Sequence, residues 1–342
     1  MRVLVTGGAG YIGSHACKAL AAAGHEPIVY DNLRTGHRWA ARWGPFVHGD
    51  IHDVPALVEA MRTHHADIVM HFAALAYVGE SVYRPDLYYR ANISGTLALL
   101  EAMKIVGIER IVFSSTCATY GVPDVMPITE GSPTAPINPY GQSKLAVEHI
   151  LADYARAFGL GSVALRYFNV GGSDHEGELG EEHDPETHLI PLVLKAAAGE
   201  IPHISILGDD YDTADGTCVR DYIHVADIAA AHVTAMDIIE PSQRKSLNLG
   251  TGHGFSVREV IEAASAVTGR DVPVRVAERR PGDPPTLAAD ASAARELLGW
   301  TPGRSTLPTM IESAWAWMTD HRTSVRLPSV LDRRNGRPPA SQ

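Results

Sequence analysis

The stretch TGGAGYIG, residues 6–13, lies between a strand pattern, Arg2–Thr6, and a helical pattern, Ser14–Ala23. Its glycines fit G-x-G-x-x-G from residue 8 and G-x-x-G-x-x-G from residue 7. Glycines so spaced permit a tight turn and let the backbone approach a pyrophosphate that rests against a helix N-terminus. The spacing alone is a weak signal, but its place between a strand and a helix predicts a dinucleotide-binding α/β fold.

A carboxylate follows the next strand pattern, Glu26–Tyr30, at Asp31. There it can accept hydrogen bonds from both ribose hydroxyls, and it repels a 2′-phosphate, so it favours NAD over NADP. Asp31 could instead initiate a turn with Asn32, and Arg34 could soften the preference for NAD. Asp50–Ile51 follows a further strand and could edge the adenine pocket, although a helix N-cap explains Asp50 equally well.

Strand and helix patterns alternate through the first half of the chain. Ile68–Phe72 and Arg110–Ser114 resemble strands, while Arg90–Lys104 and Lys144–Phe158 resemble helices. Continuous apolar strands separated by helices predict a doubly wound parallel sheet, covered by helices on both faces.

The second half is more irregular and predicts a smaller C-terminal substrate lobe. A polar, acidic loop over residues 171–186 is followed by helical patterns at Leu189–Ala198, Ala226–Met236 and Val257–Val267. We therefore predict an NAD-binding domain over 1–170, with returns from about 220–250, and a substrate-binding lobe over 171–325. A tail over 326–342, rich in arginine and proline, is expected to be loosely ordered.

Composition narrows the class of protein. The 342 residues carry a formal net charge of −11, which disfavours a general nucleic-acid binder. Three widely spaced cysteines are typical of reduced thiols rather than a disulfide framework. The glycine loop begins so early that no leader peptide is expected, and no apolar run approaches the roughly 20 residues of a membrane span. We expect a cytoplasmic protein without membrane or nucleic-acid partners.

Tyr140 and Lys144 are spaced i, i+4, so on a helix they share one face. A tyrosine that acts as a base near neutrality needs its pKa lowered by roughly three units, which a fixed ammonium and a cationic nicotinamide can supply. The pair alone could be an exposed helix face, but the preceding Asn138-Pro139 aims Tyr140 at a helix start.

A cluster of hydroxyls, FSSTCATYG over residues 113–121, follows a predicted strand. Open α/β sheets bind ligands at such strand ends, where a hydroxyl could bond a substrate oxygen and relay a proton to Tyr140. Simple turn chemistry is the alternative for any one of these hydroxyls. Cys117 fits a packed small residue better than a nucleophile, because no histidine and aspartate partners accompany it.

Histidines and glutamates crowd the acidic loop, which raises the question of a metal. None of them has a recognised ligand spacing, so we predict a solvated acidic loop and no metal. The residues concerned are His175, Glu176, Glu178, Glu181, Glu182, His183 and His188.

Several motifs occur in the order found in the extended short-chain dehydrogenase/reductase superfamily. Within it the chain resembles the UDP-galactose 4-epimerases, over residues 1 to about 317. The motifs are GGAGYIGSH (7–15), HFAALAYVGESV (71–82), NISGT (92–96), FSSTCATYG (113–121), NPYGQSK (138–144), LRYFN (165–169), DGTCVRDYIHV (215–225), NLGTG (248–252) and RRPGD (279–283).

The resemblance implies a mechanism and a set of contacts. Thr116 matches the catalytic hydroxyl, Tyr140 the base and Lys144 its partner. C4 of a UDP-hexose is oxidised with NAD, the 4-keto sugar rotates about its diphosphate link, and C4 is reduced from the other face. NAD is expected to contact Gly7, Gly10, Tyr11, Ile12, Gly13, Asp31, Asn32, Asp50, Ile51, Phe72, Ala73, Ala74, Asn92, Ser114, Tyr140, Lys144 and Tyr167. The UDP-sugar is expected to contact Thr116, Tyr140, Asn169, His188, Leu189, Leu207, Arg220, Arg280, Asp283 and Leu287.

Further properties follow from the same resemblance. The helices around Arg90–Lys104 and Lys144–Phe158 are expected to form a homodimer. His188 replaces an asparagine that contacts the substrate in some relatives. Leu287 occupies a sugar-pocket position that is often tyrosine or a small residue.

Rival functions share parts of this pattern. A dehydratase would need an Asp-Glu pair after the catalytic threonine, where this chain has Cys117 and Ala118. UDP-xylose/UDP-arabinose 4-epimerisation and UDP-N-acetylhexosamine 4-epimerisation use the same residues and stay open as alternatives. A non-catalytic NAD-binding protein is disfavoured, because such a protein would be expected to lose Tyr140 or Lys144.

Overall fold

The computed structural model describes residues 1–279 and 283–326, with side chains as far as Asp320. The strands are β1 (Arg2–Thr6), β2 (Glu26–Asp31), β3 (Phe46–His48), β4 (Ile68–His71), β5 (Arg110–Ser114), β6 (Gly161–Tyr167), β7 (Asn169–Gly171), β8 (Ile204–Leu207), β9 (Val219–His224), β10 (Arg244–Leu249), β11 (Gly254–Ser256), β12 (Val274–Ala277) and β13 (Thr286–Leu287). The helices are α1 (Tyr11–Ala22), α2 (Val54–Thr63), α3 (Val78–Tyr83), α4 (Pro85–Tyr88), α5 (Gly95–Val106), α6 (Pro139–Phe158), α7 (Leu189–Ala197), α8 (Val225–Ala235), α9 (Val257–Thr268), α10 (Ser292–Leu298) and α11 (Leu307–Arg326).

Seven parallel strands form the central sheet, in the order β10-β6-β5-β4-β1-β2-β3. The apolar run in β1 is explained by burial on both faces of the sheet. Val3 and Val5 pack on one face and Leu4 on the other, and all three are fully buried. Helices α1 and α8 cover the first face, and α2, α5 and α6 cover the second. The predicted doubly wound α/β fold is confirmed.

Residues beyond β6 build two smaller sheets and a third core. Strand β9 pairs with β7, β11 and β13, while β8 pairs with β12. Helices α7, α9 and α11 pack together over a separate apolar cluster. Strand β10 returns to the edge of the central sheet beside β6. The domain boundaries at 170 and 325 stay a prediction, and residues 327–342 of the predicted tail lie outside the described residues.

Several helix starts differ from the predicted patterns: α1 begins at Tyr11 rather than Ser14, and α8 at Val225 rather than Ala226. Helix α6 begins at Pro139 rather than Lys144, because the Asn138 side chain accepts a hydrogen bond of 2.8 Å from the Gly141 N–H and caps it. The stretch predicted as one helix from Arg90 is a π-helical turn, Tyr89–Ser94, that continues into α5. In the part of the chain described, no helix combines the length and apolar character needed to cross a bilayer.

Candidate active site

A cavity of about 610 Å³ opens at the carboxyl ends of the central strands, where open α/β sheets bind ligands. Most of the residues that were predicted from the sequence to bind NAD or the substrate line this cavity. Those lining it are Gly7, Gly10, Tyr11, Ile12, Gly13, Asp31, Asn32, Asp50, Ile51, Phe72, Ala73, Ala74, Ser114, Thr116, Tyr140, Lys144, Tyr167, Asn169, His188, Arg220, Asp283 and Leu287.

The glycine loop leaves no space for side chains. Gly7 has a φ of +73°, and a Cβ there would lie 2.6 Å from the Ala73 backbone nitrogen; a Cβ on Gly13 would lie 2.2 Å from the Gly7 carbonyl oxygen. Gly10 is the N-cap of α1 and has no capping side chain, so the first-turn N–H groups stay available to a ligand. This cradle fits the pyrophosphate of a dinucleotide.

Asp31 both anchors the glycine loop and borders the cavity. Its carboxylate accepts hydrogen bonds from the Ala9 N–H (3.0 Å) and the Leu33 N–H (2.8 Å). Asp31 can therefore stabilise the turn that follows β2 and also face a ligand in the cavity. Asp50 is not the helix N-cap considered as an alternative, since Asp53 caps α2. The Asp50 carboxylate instead accepts from the Asn32 side chain, and both residues line the cavity; their contact with NAD stays a prediction.

Helix α6 presents Tyr140 and Lys144 from one face of its first turns into the cavity. Burial raises the pKa of the Tyr140 phenol to about 12, while the Thr116 hydroxyl acts in the opposite direction. Burial lowers the pKa of the Lys144 ammonium to about 7, and this group donates a hydrogen bond of 2.8 Å to the Ser114 carbonyl. Without a ligand, the phenol therefore stays protonated at neutral pH.

A buried polar network supports the segment that carries Thr116. The neighbouring Ser115 hydroxyl donates to the Glu148 carboxylate at 2.6 Å, and Arg166 pairs with that carboxylate. Glu148 lies one turn after Lys144 on α6, so a single helix positions both the network and the cavity residues. The Ser114 and Tyr167 hydroxyls hydrogen-bond each other at the same strand ends.

The Cys117 and Ala118 side chains provide no acid-base pair. Burial raises the pKa of the Cys117 thiol to about 12, so it stays protonated, as expected for a packed small residue. This chemistry does not suit elimination of water, which needs an acid and a base.

The far end of the cavity holds the predicted diphosphate and sugar residues. Arg220 donates to the Asp283 carboxylate at 2.6 Å and to the Val219 carbonyl at 2.7 Å. Leu287 pairs with Arg220 in the parallel register of β13 and β9, so the apolar side chain lies next to the guanidinium-bearing residue.

Three predicted contacts do not line this cavity, and one cannot be placed. Asn92 is buried and bonds Leu75 and the Ser143 hydroxyl instead. Leu189 packs against the core of the smaller lobe, and Leu207 lies in β8. Their ligand contacts stay predictions, and Arg280 lies outside the described residues.

The prediction of a solvated acidic loop was wrong for Glu181 and Glu186, while His175, Glu176 and Glu182 are exposed. The side chains of Glu181 and Glu186 are 6% and 3% exposed, and Glu181, His183 and His188 line the cavity. Tyr77, which was not among the predicted site residues, also lines the cavity and packs edge-on against His183 with ring centroids 6.0 Å apart. The nearby carboxylates raise the pKa of His188 to about 10 against the effect of burial. No local spacing pattern indicated this arrangement.

Comparison with known proteins agrees with this geometry. The model of the NAD dependent epimerase/dehydratase family matches residues 3–250. A UDP-glucose 4-epimerase of Rhizobium meliloti is 51% identical over 316 residues, which cover 92% of this chain and 96% of the relative. A UDP-glucose 4-epimerase from Brucella ovis, crystallised with NAD, is 54% identical with a TM-score of 0.89, and the match covers 92% of this chain and 97% of that one.

A second solved structure contains a uridine nucleotide as well as the dinucleotide. The UDP-glucose 4-epimerase from Bifidobacterium longum, in complex with NAD⁺ and UDP, is 41% identical with a TM-score of 0.90, over 94% of this chain and 99% of that one. The resemblance to the 4-epimerases is confirmed, and NAD is the cofactor that the glycine cradle and Asp31 suit. The chain belongs to the NAD dependent epimerase/dehydratase family.

Proposed function

We propose that this protein inverts the C4 hydroxyl of a UDP-hexose and so interconverts UDP-glucose and UDP-galactose. One observation carries the proposal: a single cavity brings the glycine cradle together with Thr116, Tyr140 and Lys144 and with Arg220. The relatives compared above are named UDP-glucose 4-epimerase, and the match to this chain covers nearly their whole length.

The proposed chemistry divides the work among the chain's own groups. When bound, NAD supplies a reversible two-electron acceptor for C4. Tyr140 removes the proton from O4, and Thr116 holds that oxygen and passes the proton. Because burial keeps the phenol protonated in the unliganded cavity, its ionisation needs a cationic neighbour. Lys144, one helical turn away, is that neighbour in its protonated form, and with a pKa of about 7 it is about half protonated at neutral pH. Arg220 grips the diphosphate as a bidentate donor once it leaves Asp283, and the sugar stays free to turn.

Purified protein incubated with UDP-galactose alone tests the proposal. The expected product is UDP-glucose, and the same mixture should form from either sugar nucleotide, measured by chromatography or proton NMR. Accumulation of an oxidised sugar, or no conversion from either side, would contradict a redox-neutral epimerase.

The sugar range should depend on Leu287. Leucine is shorter than tyrosine, so the pocket should admit a 2-acetamido group poorly, with UDP-N-acetylglucosamine turned over on the order of tenfold to a hundredfold more slowly than UDP-glucose. Leu287→Tyr should widen that ratio, because it fills the space beside Arg220. Competition among UDP-hexose, UDP-N-acetylhexosamine and UDP-pentose pairs measures it.

Leu287→Met, which nearly conserves volume, is the matched control and should leave the ratio within a few-fold. Equal rates on the N-acetyl pair in the unmodified protein would show that Leu287 does not limit the pocket. A preference for UDP-xylose and UDP-arabinose would replace the hexose assignment by the pentose one.

We also propose a homodimer formed through α5 and α6. Leu97, Ile105 and Phe158 on these helices are large and apolar, and each is between 39% and 49% exposed. The Lys104 ammonium lies 4.0 Å from the centre of the Phe158 ring, so α5 and α6 adjoin there, and we call Leu97, Ile105 and Phe158 together the apolar patch. Several large apolar side chains exposed on two adjoining helices suit a subunit interface.

The double variant Leu97→Glu, Ile105→Glu should be monomeric, because it places two charges at the centre of the apolar patch. Size-exclusion chromatography with light scattering measures the mass. Val274→Glu, at an exposed apolar position on β12, is the control and should stay dimeric. An unmodified protein that is monomeric at micromolar concentration would overturn the interface.

A cytoplasmic location completes the proposal and agrees with the three widely spaced cysteines.

A further inference from the structure

Four side chains of the segment 181–188 converge on one point. The ligand atoms of Glu181, His183, Glu186 and His188 all lie within 4.8 Å of one another. The two Nδ1 atoms of the histidines lie 3.0 and 2.7 Å from the same Glu181 oxygen. They lie 3.8 and 3.0 Å from the oxygens of Glu186.

These separations match the ligand spacing of a tetrahedral zinc ion. Zinc holds nitrogen and oxygen ligands at about 2.0–2.2 Å, so neighbouring ligand atoms in a tetrahedron lie about 3.4 Å apart. Three of the four measured distances, 3.0, 2.7 and 3.0 Å, are shorter than that value and one, 3.8 Å, is longer, so small displacements of the side chains would form the tetrahedron. Two imidazoles with two carboxylates favour zinc over magnesium or calcium, which prefer oxygen ligands alone.

The two carboxylates are nearly buried and need a positive partner. Within the described ranges their ion-pair partners are His183 and His188, with no lysine or arginine at ion-pair distance. Two anions in a low-dielectric setting are costly unless they are paired or coordinate a metal.

A second acidic cluster in the same loop provides a contrast. Asp174, Glu176 and Glu178 also lie close together, but the Lys18 ammonium occupies their centre, at 2.7, 2.5 and 2.9 Å from the three carboxylates. That cluster already holds its cation within the chain. The cluster of Glu181, His183, Glu186 and His188 has two imidazole nitrogens in the corresponding place, and imidazole is a metal ligand in its neutral form.

The surroundings hold these donors in position. The Glu186 carboxylate accepts backbone N–H bonds from Thr187 (2.7 Å) and His188 (2.8 Å). The rings of Tyr11 and Tyr77 pack edge-on against the His183 imidazole, with centroids 6.2 and 6.0 Å away. Outer contacts of this kind orient the ligands of metal sites.

We propose that Glu181, His183, Glu186 and His188 bind one structural zinc ion. Four protein ligands close the coordination sphere, which is typical of structural rather than catalytic zinc. The ion would fasten residues 181–188 to one another beside the glycine loop, since the Tyr11 ring packs against His183 and the Tyr11 hydroxyl donates to the Gly172 carbonyl in the acidic loop. This inference is independent of the proposed sugar specificity.

Metal analysis of the full chain, expressed without a histidine tag, tests the proposal. After gel filtration, mass spectrometry should find about one zinc per chain. Removal by a chelator should lower Tm on the order of 5 °C, and zinc but not magnesium should restore it. Protein that is purified without metal and whose Tm does not respond to added zinc would show a plain histidine–glutamate ion-pair network and overturn the proposal.

Variants locate the ion. His183→Asn should lower zinc content tenfold or more, roughly the loss expected when a coordination shell is disturbed. His175→Asn, in the same loop but with a largely exposed side chain, is the control and should retain the metal. Zinc retained in full by His183→Asn would overturn the ligand set. If His183→Asn does not fold, the zinc content and Tm of the unmodified chain still decide the question.

Discussion

Tyr140→Phe is expected to lower kcat for UDP-galactose epimerisation by about 10²–10⁴-fold, the usual contribution of a positioned acid-base group. The ring of Tyr140 is buried in the cavity and its hydroxyl interacts with Thr116, so phenylalanine removes the titrating oxygen and leaves the packing in place. Binding of the UDP-sugar should change by a few-fold at most. Steady-state kinetics together with calorimetric titration of UDP-glucose separate the two effects.

The control for this substitution lies on the same helix. Tyr154→Phe alters a partly buried tyrosine of α6 that packs on Phe158 outside the cavity, and kcat should stay near that of the unmodified protein. If Tyr140→Phe also keeps near-normal turnover, another group is the base. A loss of UDP-sugar affinity equal to the loss of kcat would instead show that Tyr140 mainly binds the substrate.

The sequence predicted best what is decided locally. The glycine loop, Asp31 and the pair on α6 depend on short-range geometry: a strand, a turn that excludes side chains, and an i, i+4 spacing on one helix face. Strand apolarity on both faces likewise indicated the parallel sheet, since Val3 and Leu4 are buried on opposite sides. These features need no knowledge of distant parts of the chain.

Features that depend on distant contacts were missed. The burial of Glu181 and Glu186 follows from how their loop folds against Tyr11 and Tyr77, which lie more than 100 residues away along the chain. Composition alone made that loop look solvated, because glutamates are mostly exposed unless paired. Asn92 is an example of the opposite kind. It belongs to a motif of the family, but its side-chain amide donates to the Leu75 carbonyl and the Ser143 hydroxyl and so stabilises the fold.

Lys144 is buried at a cost to stability. Its side chain is 3% exposed, and burial lowers its pKa from 10.5 to about 7. Each pKa unit corresponds to about 1.4 kcal/mol, so holding this amine in the cavity costs on the order of 4 kcal/mol at neutral pH. The hydrogen bond to the Ser114 carbonyl offsets part of that cost. A group retained under such a penalty is expected to serve the reaction rather than the fold.

Lys144→Met should therefore raise the Tm of the cofactor-free protein on the order of 5 °C at pH 7, while kcat falls at least about a hundredfold. Between pH 7 and pH 10.5 the unfolded lysine binds a proton that the folded one has lost, so the unmodified protein gains stability as pH rises through this range. The variant lacks this gain. The Tm difference between the two proteins should consequently be largest near pH 6–7 and become smaller towards pH 10. Differential scanning fluorimetry across that range measures it, and a difference that does not change with pH would show that the lysine is charged in the folded cavity.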